Sequence, residues 1–251
     1  MSTDVLVKYL NYQLRTAQSI LPTITEKSDP ENLHKFRVSL RRSRSLVKLY
    51  QLEFYAFQDI IKSIFKPSNT LRELDVLLLS IIPKDYPNLY QKLQHYRDKQ
   101  YKKILTEAYI SRSMMVLEKL IEALNRTDTI HTERILVKKA LEHYKRTEHR
   151  YKKLSPGAAP KELHKLRIEF KTARYALDFL HTSGFYRKID KLTYAKTRQD
   201  QLGALQDAHN QLMILKKFCK KCSLNECSDL YKKRHKEYKR LLQSTGTNQL
   251  V

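Results

Sequence analysis

The chain has 251 residues and carries 49 Lys+Arg against 26 Asp+Glu, a formal charge of +23, an excess that repels itself in a compact state unless a polyanion is present. Its length suits one large or two small domains, its 41% hydrophobic content supplies a core, and no apolar run, 76–79 included, is long enough to cross a membrane. Four glycines, little β-branched alternation and long Leu/Lys/Glu/Tyr-rich runs argue against a sheet protein and predict an all-α chain.

Breaker clusters at 22–30, 67–70, 83–87, 125–129, 155–160, 183–184 and 223–228 divide the chain into eight segments of helical length. The first is 3–20. The second, 31–65, opens on Asp29-Pro30-Glu31, with proline and acid where a helix start prefers them. It contains the sequence LHKFRVSLRRSRSLVKL over 33–49. Wound at about 100° per residue, this stretch places His34, Arg37, Arg41, Arg44 and Lys48 in one arc of roughly 80°. Leu33, Phe36, Leu40 and Val47 fill the adjoining arc of about 60°, so the cations sit beside the buried seam and not opposite it. A solvated face would mix in carboxylates for i,i+4 pairing, and this stripe has none.

The next two segments are 70–82, with Arg72-Glu73-Leu74-Asp75-Val76, and 88–124. A boundary near residue 127 is followed by 130–153 and then 161–182, which opens on Pro160-Lys161-Glu162. Here the earlier pattern returns 130 residues later as LHKLRIEFKTARYALDF over 163–179, aligning His164, Arg167, Lys171, Arg174 and Tyr175 beside Leu163, Leu166, Phe170 and Leu177. Asp178 stands where the first copy has Lys48, which weakens the second stripe. The repeat points to a duplicated half-domain with four helices on each side of the boundary: 1–127, then 128–243 with helices completed by 185–221 and 228–243, and a polar tail at 244–251.

Each signature histidine falls in the first or second turn of its helix, where the helix dipole adds positive charge. A lone histidine is usually a core residue; the same station in both copies favours His34 and His164 as phosphate donors, with binding that tightens as pH falls from about 8 to 6. Tyr175 either fills a half-buried edge or donates its phenol. The arginines can each bind two phosphate oxygens, and a stripe of about 21 Å suits a chain of phosphates better than a single one. Arg72, Glu73, Asp75 and Asp207 are expected to hold the cations in place by charge-assisted hydrogen bonds. Cys219, Cys222 and Cys227, odd in number, suggest neither a disulfide framework nor a complete zinc site and are expected as free thiols. With no secretory signal visible, the expected compartment is the cytoplasm.

At these motifs the chain resembles the CHAD domain family (conserved-histidine α-helical domain). Its signatures, approximately H-x-x-R-V-x-x-R-R-x-R and H-x-x-R-I-x-x-K-x-x-R-Y, are similar to His34, Arg37, Val38, Arg41, Arg42, Arg44 and to His164, Arg167, Ile168, Lys171, Arg174, Tyr175. A second pair, near L-x-x-x-R-D-x-D-V and L-G-x-L-x-D, resembles Arg72-Glu73-Leu74-Asp75-Val76, with Glu73 for the usual Asp, and Leu202-Gly203-Ala204-Leu205-Gln206-Asp207, with uncharged Gln206 opposite Arg72. The resemblance implies an all-α, pseudo-two-fold bundle of two four-helix halves around a basic channel that binds inorganic polyphosphate, at polyphosphate granules within the cytoplasm. No cofactor or metal is implied. Without G-x-x-x-x-G-K-[ST], G-x-S-x-G or H-E-x-x-H, and with too little glycine for a phosphate-cradling loop, the chain is expected to be no enzyme. Phosphohydrolysis and nucleic-acid binding are the alternatives, the latter supported by net charge but without clustered tyrosines.

Overall fold

The computed structural model describes residues 4–52, 57–127, 131–155, 158–222 and 224–245. Among these the chain forms ten α-helices and one 3-10 turn, with no strand: α1 Val5–Ile20, α2 Pro30–Tyr50, α3 Phe57–Phe65, α4 Asn69–Leu79, α5 Pro87–Ile104, α6 Glu107–Asn125, α7 Glu133–Lys152, α8 Pro160–Thr182, α9 Asp190–Cys219 and α10 Asn225–Thr245. The all-α expectation holds. Prolines at 30, 87 and 160 open α2, α5 and α8, and Asp29 caps α2 by accepting from the Glu31 N–H at 2.8 Å. Gly184, at φ 76°, closes α8: the Phe185 and Gly184 N–H groups return to the Leu180 and His181 carbonyls, a Schellman ending.

Two expected helices are each divided. The segment 31–65 breaks after Tyr50, where Gln51 takes a left-handed conformation (φ 54°) and both Gln51 and Leu52 donate to the Val47 carbonyl. The segment 88–124 breaks at Leu105, after which the Thr106 hydroxyl accepts from the Tyr109 N–H and starts α6. Six described helices therefore precede residue 127 and four follow it. Residues 128–130 and the end of the expected tail, 246–251, lie outside the described residues, and α10 continues to Thr245.

The core crosses the expected boundary. Leu10 and Leu14 of α1, Phe36 and Leu40 of α2 and Leu117 and Leu124 of α6 share one cluster with Leu136 and Ala140 of α7 and Ala176, Phe179 and Leu180 of α8. A second cluster joins α7, α8 and α9 around Phe170, and a third joins α4 and α5 to α9 and α10 through Leu77, Leu89, Leu93, Leu215 and Leu230. Phe36 of the first copy and Phe170 of the second, which stands where the first has Leu40, are both 0% exposed, each worth about 3–5 kcal/mol on truncation to alanine. These seams bring the two repeat helices, α2 and α8, into direct contact.

Two expectations are corrected away from the contact of α2 with α8. Asp75, 1% exposed, accepts from Arg97 Nε at 2.7 Å and from the Tyr101 hydroxyl at 2.6 Å, while Arg97 Nη1 donates to the Glu26 carbonyl. It thus clamps α4 to α5 and, through Arg97, to the turn before α2, and is bonded to no cation of the α2 or α8 stripe among the described residues. Cys219 and Cys227 form a disulfide (Cα–Cα 5.6 Å) across the turn from α9 to α10, and only Cys222 is a free thiol. The antiparallel packing of α9 and α10 brings together two cysteines that spacing alone did not pair.

Candidate functional site

Because each repeat helix carries its cations beside its apolar seam, packing α2 on α8 turns the two basic flanks toward one cleft. A cavity of about 700 Å³ opens there, lined on α2 by His34, Lys35, Arg41 and Arg42, on α8 by Arg167, Lys171, Arg174 and Tyr175, on α9 by Gln199, Asp200 and Asp207, and on α1 by Tyr12, Gln13 and Thr16. A second cavity of about 390 Å³ shares His34, Arg41, Arg167 and Asp207 with it and adds Arg37, Asn69, Arg72, Glu73 and His164. A third, about 260 Å³, shares His164 and Gln206 with the second. The three adjoin along one trench.

Most of the expected residues therefore meet, in different roles. Arg37 is 2% exposed; its Nη1 donates to the Phe65 carbonyl (2.8 Å) and Ser68 Oγ (2.6 Å), and its Nη2 to Asn69 Oδ1 (2.6 Å). It fastens the α3–α4 turn beneath the trench. Arg42, outside the helical arc of the other cations, pairs with Asp178 at 3.0 Å and lies over the Tyr175 ring. The acid expected to weaken the second stripe thus ties α8 to α2. Arg167 stands 3.9 Å from Asp207, and Arg174 donates to Gln199 Oε1 at 3.3 Å. Tyr175 both lines the cavity and is buried, 4% exposed.

Arg44 and Lys48 line none of these cavities. The end of α2 is instead tied to α7, where the Tyr50 hydroxyl donates to the Leu136 carbonyl and Lys139 Nζ to the Tyr50 carbonyl, and Lys48 is exposed. The usable stripe from His34 to Arg42 spans about 12 Å instead of about 21 Å.

By contrast Arg41, Arg72 and Lys171 have neither hydrogen bond nor ion pair from their side chains among the described residues. Burial, with the neighbouring guanidiniums of Arg167 and Arg41, pushes the Lys171 amine down to about 6. Burial likewise depresses Arg41, and takes Arg37 to about 9 with help from Arg41 and Arg72. His34 is held below the ordinary imidazole range by burial and then by Arg72, which leaves it neutral near pH 7. His164 is exposed; its Nδ1 meets Gln206 Oε1 at 2.7 Å, and a relay continues through Asn210 to Glu73, whose carboxyl burial raises. Gln206, uncharged where the first motif has Arg72, is the residue that orients His164. The arrangement is a desolvated field of positive charge lacking its counter-charge, and a multivalent anion lying in the trench would supply it.

Sequence reasoning missed the α1 wall, because Tyr12, Gln13 and Thr16 are ordinary residues of an amphipathic helix and only packing brings them to the cleft. Asn69 and Gln199 were missed for the same reason. The comparisons agree with the fold. A family model described as the CHAD domain matches residues 8–216. A crystal structure of the CHAD domain from the plant Ricinus communis is similar over 99% of this chain and 90% of that chain, with TM-score 0.73 and 22% identity, which speaks to the fold alone. No curated protein matches the chain.

Proposed function

The chain belongs to the CHAD domain family, and from that premise we propose that it binds inorganic polyphosphate, without catalysing its turnover, in the trench between α2 and α8. The family supports a polyphosphate-related role; the finer assignment rests on one observation. Arg41 from the first repeat and Lys171 from the second face one cavity of about 700 Å³, and among the described residues no acid is bonded to either. Near pH 7 the charge of Arg41 has no acid bonded to it among these residues and Lys171 is held neutral by its surroundings, so a bound anion meets the one and favours the charged form of the other. A run of phosphates satisfies them together, whereas a single phosphate cannot span cavities that adjoin from Arg174 to His164. Arg72, Arg167 and Arg174 complete the cationic wall. His34 and His164 serve as donors at its mouth, and His34 takes a proton only as the anion arrives.

Competition at fixed salt tests this reading. Long polyphosphate should displace a labelled polyphosphate at concentrations at which pyrophosphate, duplex DNA and single-stranded RNA do not, and chain length should stay unchanged after incubation with a divalent metal. Equal displacement by pyrophosphate would mark a small-phosphate pocket, and shortening of the chain would mark an enzyme.

A further inference from the structure

One group in the trench is chemically unlike its neighbours. Lys171 is a primary amine within a cavity whose other cations are mostly guanidiniums, and its Nζ has no acceptor and no acid partner among the described residues. We infer that Lys171 is a nucleophilic modification site that takes the acyl group of small acyl phosphates, with the surrounding arginines holding the phosphate.

The cavity supplies both requirements of such a transfer. From α8 itself Arg167, Arg174 and the Tyr175 phenol face the amine, and from α2 come Arg37, Arg41 and Arg42, with His34, Lys35 and Glu31 farther along the same wall. From α9 come Asp207 and Asp200, and from α1 only Tyr12 among titratable groups. Cations outnumber acids around the amine, and Asp207, the one acid that acts on it appreciably, lies against Arg167. Burial and Arg167 push Lys171 down to about 6, so at neutral pH it keeps its lone pair while every arginine stays charged. An incoming acyl phosphate presents its dianion to the guanidiniums, whose charges outnumber its own, and its carbonyl carbon to the amine, which therefore stays neutral, unlike beneath a long polyanion that overruns those charges. The Nζ lone pair attacks that carbon, the C–O bond to phosphate breaks, and phosphate leaves with the bonding pair and the proton released by nitrogen. An amide remains on Lys171. The cavity thereby loses a latent positive charge.

The inference does not require a long polyanion: a chain that failed to hold polyphosphate and still acylated first at Lys171 would keep this inference and lose the preceding one. The experiment treats the full chain with acetyl phosphate between pH 6.5 and 9 and follows each lysine by peptide mass spectrometry. At pH 7 Lys171 should acylate at least about tenfold faster than a short lysine peptide added to the same reaction, because an ordinary lysine is neutral in only about one molecule in a thousand or fewer. Its rate should be nearly flat with pH, while that of the peptide climbs about tenfold per unit. Inorganic triphosphate should protect Lys171 and leave the peptide unaffected. A Lys171 rate no greater than that of the peptide, or one that climbs in parallel with it, overturns the inference. A fast, flat rate that triphosphate does not slow, and that a neutral acetyl ester reproduces, overturns the assignment to acyl phosphates.

Discussion

At the level of single residues, cations that look equivalent along a helical arc divide by what they touch. Arg37 donates three hydrogen bonds to the α3–α4 turn and Arg41 donates none. Arg37→Ala should therefore lower stability by about 3 kcal/mol, since it strands buried acceptors. Arg41→Ala should leave stability within about 1 kcal/mol and weaken polyphosphate binding at least about tenfold; paired denaturation and binding measurements separate them. Charge reversal aimed at the site thus belongs at Arg41, since at Arg37 it would break the fold. Arg97 makes the complementary point: it stands outside any repeat, yet its bond to Asp75 organises three segments. Periodicity shows which side of a helix a residue occupies, but the partner that consumes its hydrogen bonds comes from elsewhere in the chain. The pH response follows the same division. Below about 6 Lys171 is protonated whether or not an anion is bound; above it the free amine is neutral and the anion must restore the proton. Affinity should fall as pH rises from about 6, and binding at pH 7.5 should take up close to one proton, read as calorimetric heats that differ between buffers. The His34 contribution lies on the acid side of the ordinary imidazole range. Lys171→Arg should abolish the uptake at pH 7.5; uptake that survives would assign it to another group.

At the level of helices, the ends marked by proline and glycine were legible and those marked by neither were not. Pro30, Pro87, Pro160 and Gly184 stand at element ends. The break at Gln51 needs a left-handed residue that is not glycine, and the break before Thr106 is signalled only by a capping hydroxyl. The repeat itself was legible because a buried seam with a basic flank requires both periodicities in seventeen residues. The length of the stripe was not, because α2 runs on past the cleft, leaving Lys48 exposed and Arg44 off the cavity walls. Nor was the disulfide, since three cysteines in nine residues do not announce which two will face. The Cys219–Cys227 link closes a loop of 8 residues, for which loop-closure entropy gives about 2.5 kcal/mol. Reduction should lower the thermal midpoint and loosen α10, with faster amide exchange over 225–245 than over α8. An unchanged midpoint and unchanged exchange under reductant would show that the packing of Cys227 and Leu230 alone holds α10 in place.

At the level of the whole molecule, a charge of +23 would give any polyanion some affinity and a steep salt dependence. What distinguishes a site from a field is position. The core that crosses residue 127 fixes α2 against α8 and so fixes the spacing of Arg41, Arg167 and Lys171, so that under the proposed function a chain of phosphates would meet a set cleft and not a loose basic surface. The most direct measurement is polyphosphate affinity, at one salt concentration, for two charge-matched variants whose helicity is checked by circular dichroism. Arg41→Glu with Arg167→Glu reverses the trench, and Lys48→Glu with Lys165→Glu reverses two exposed lysines outside it. The trench variant should lose at least about a hundredfold, about 2.7 kcal/mol, and the surface variant less than about threefold. Equal losses in the two folded variants would show that net charge alone binds the polyanion, and would contradict a site between α2 and α8.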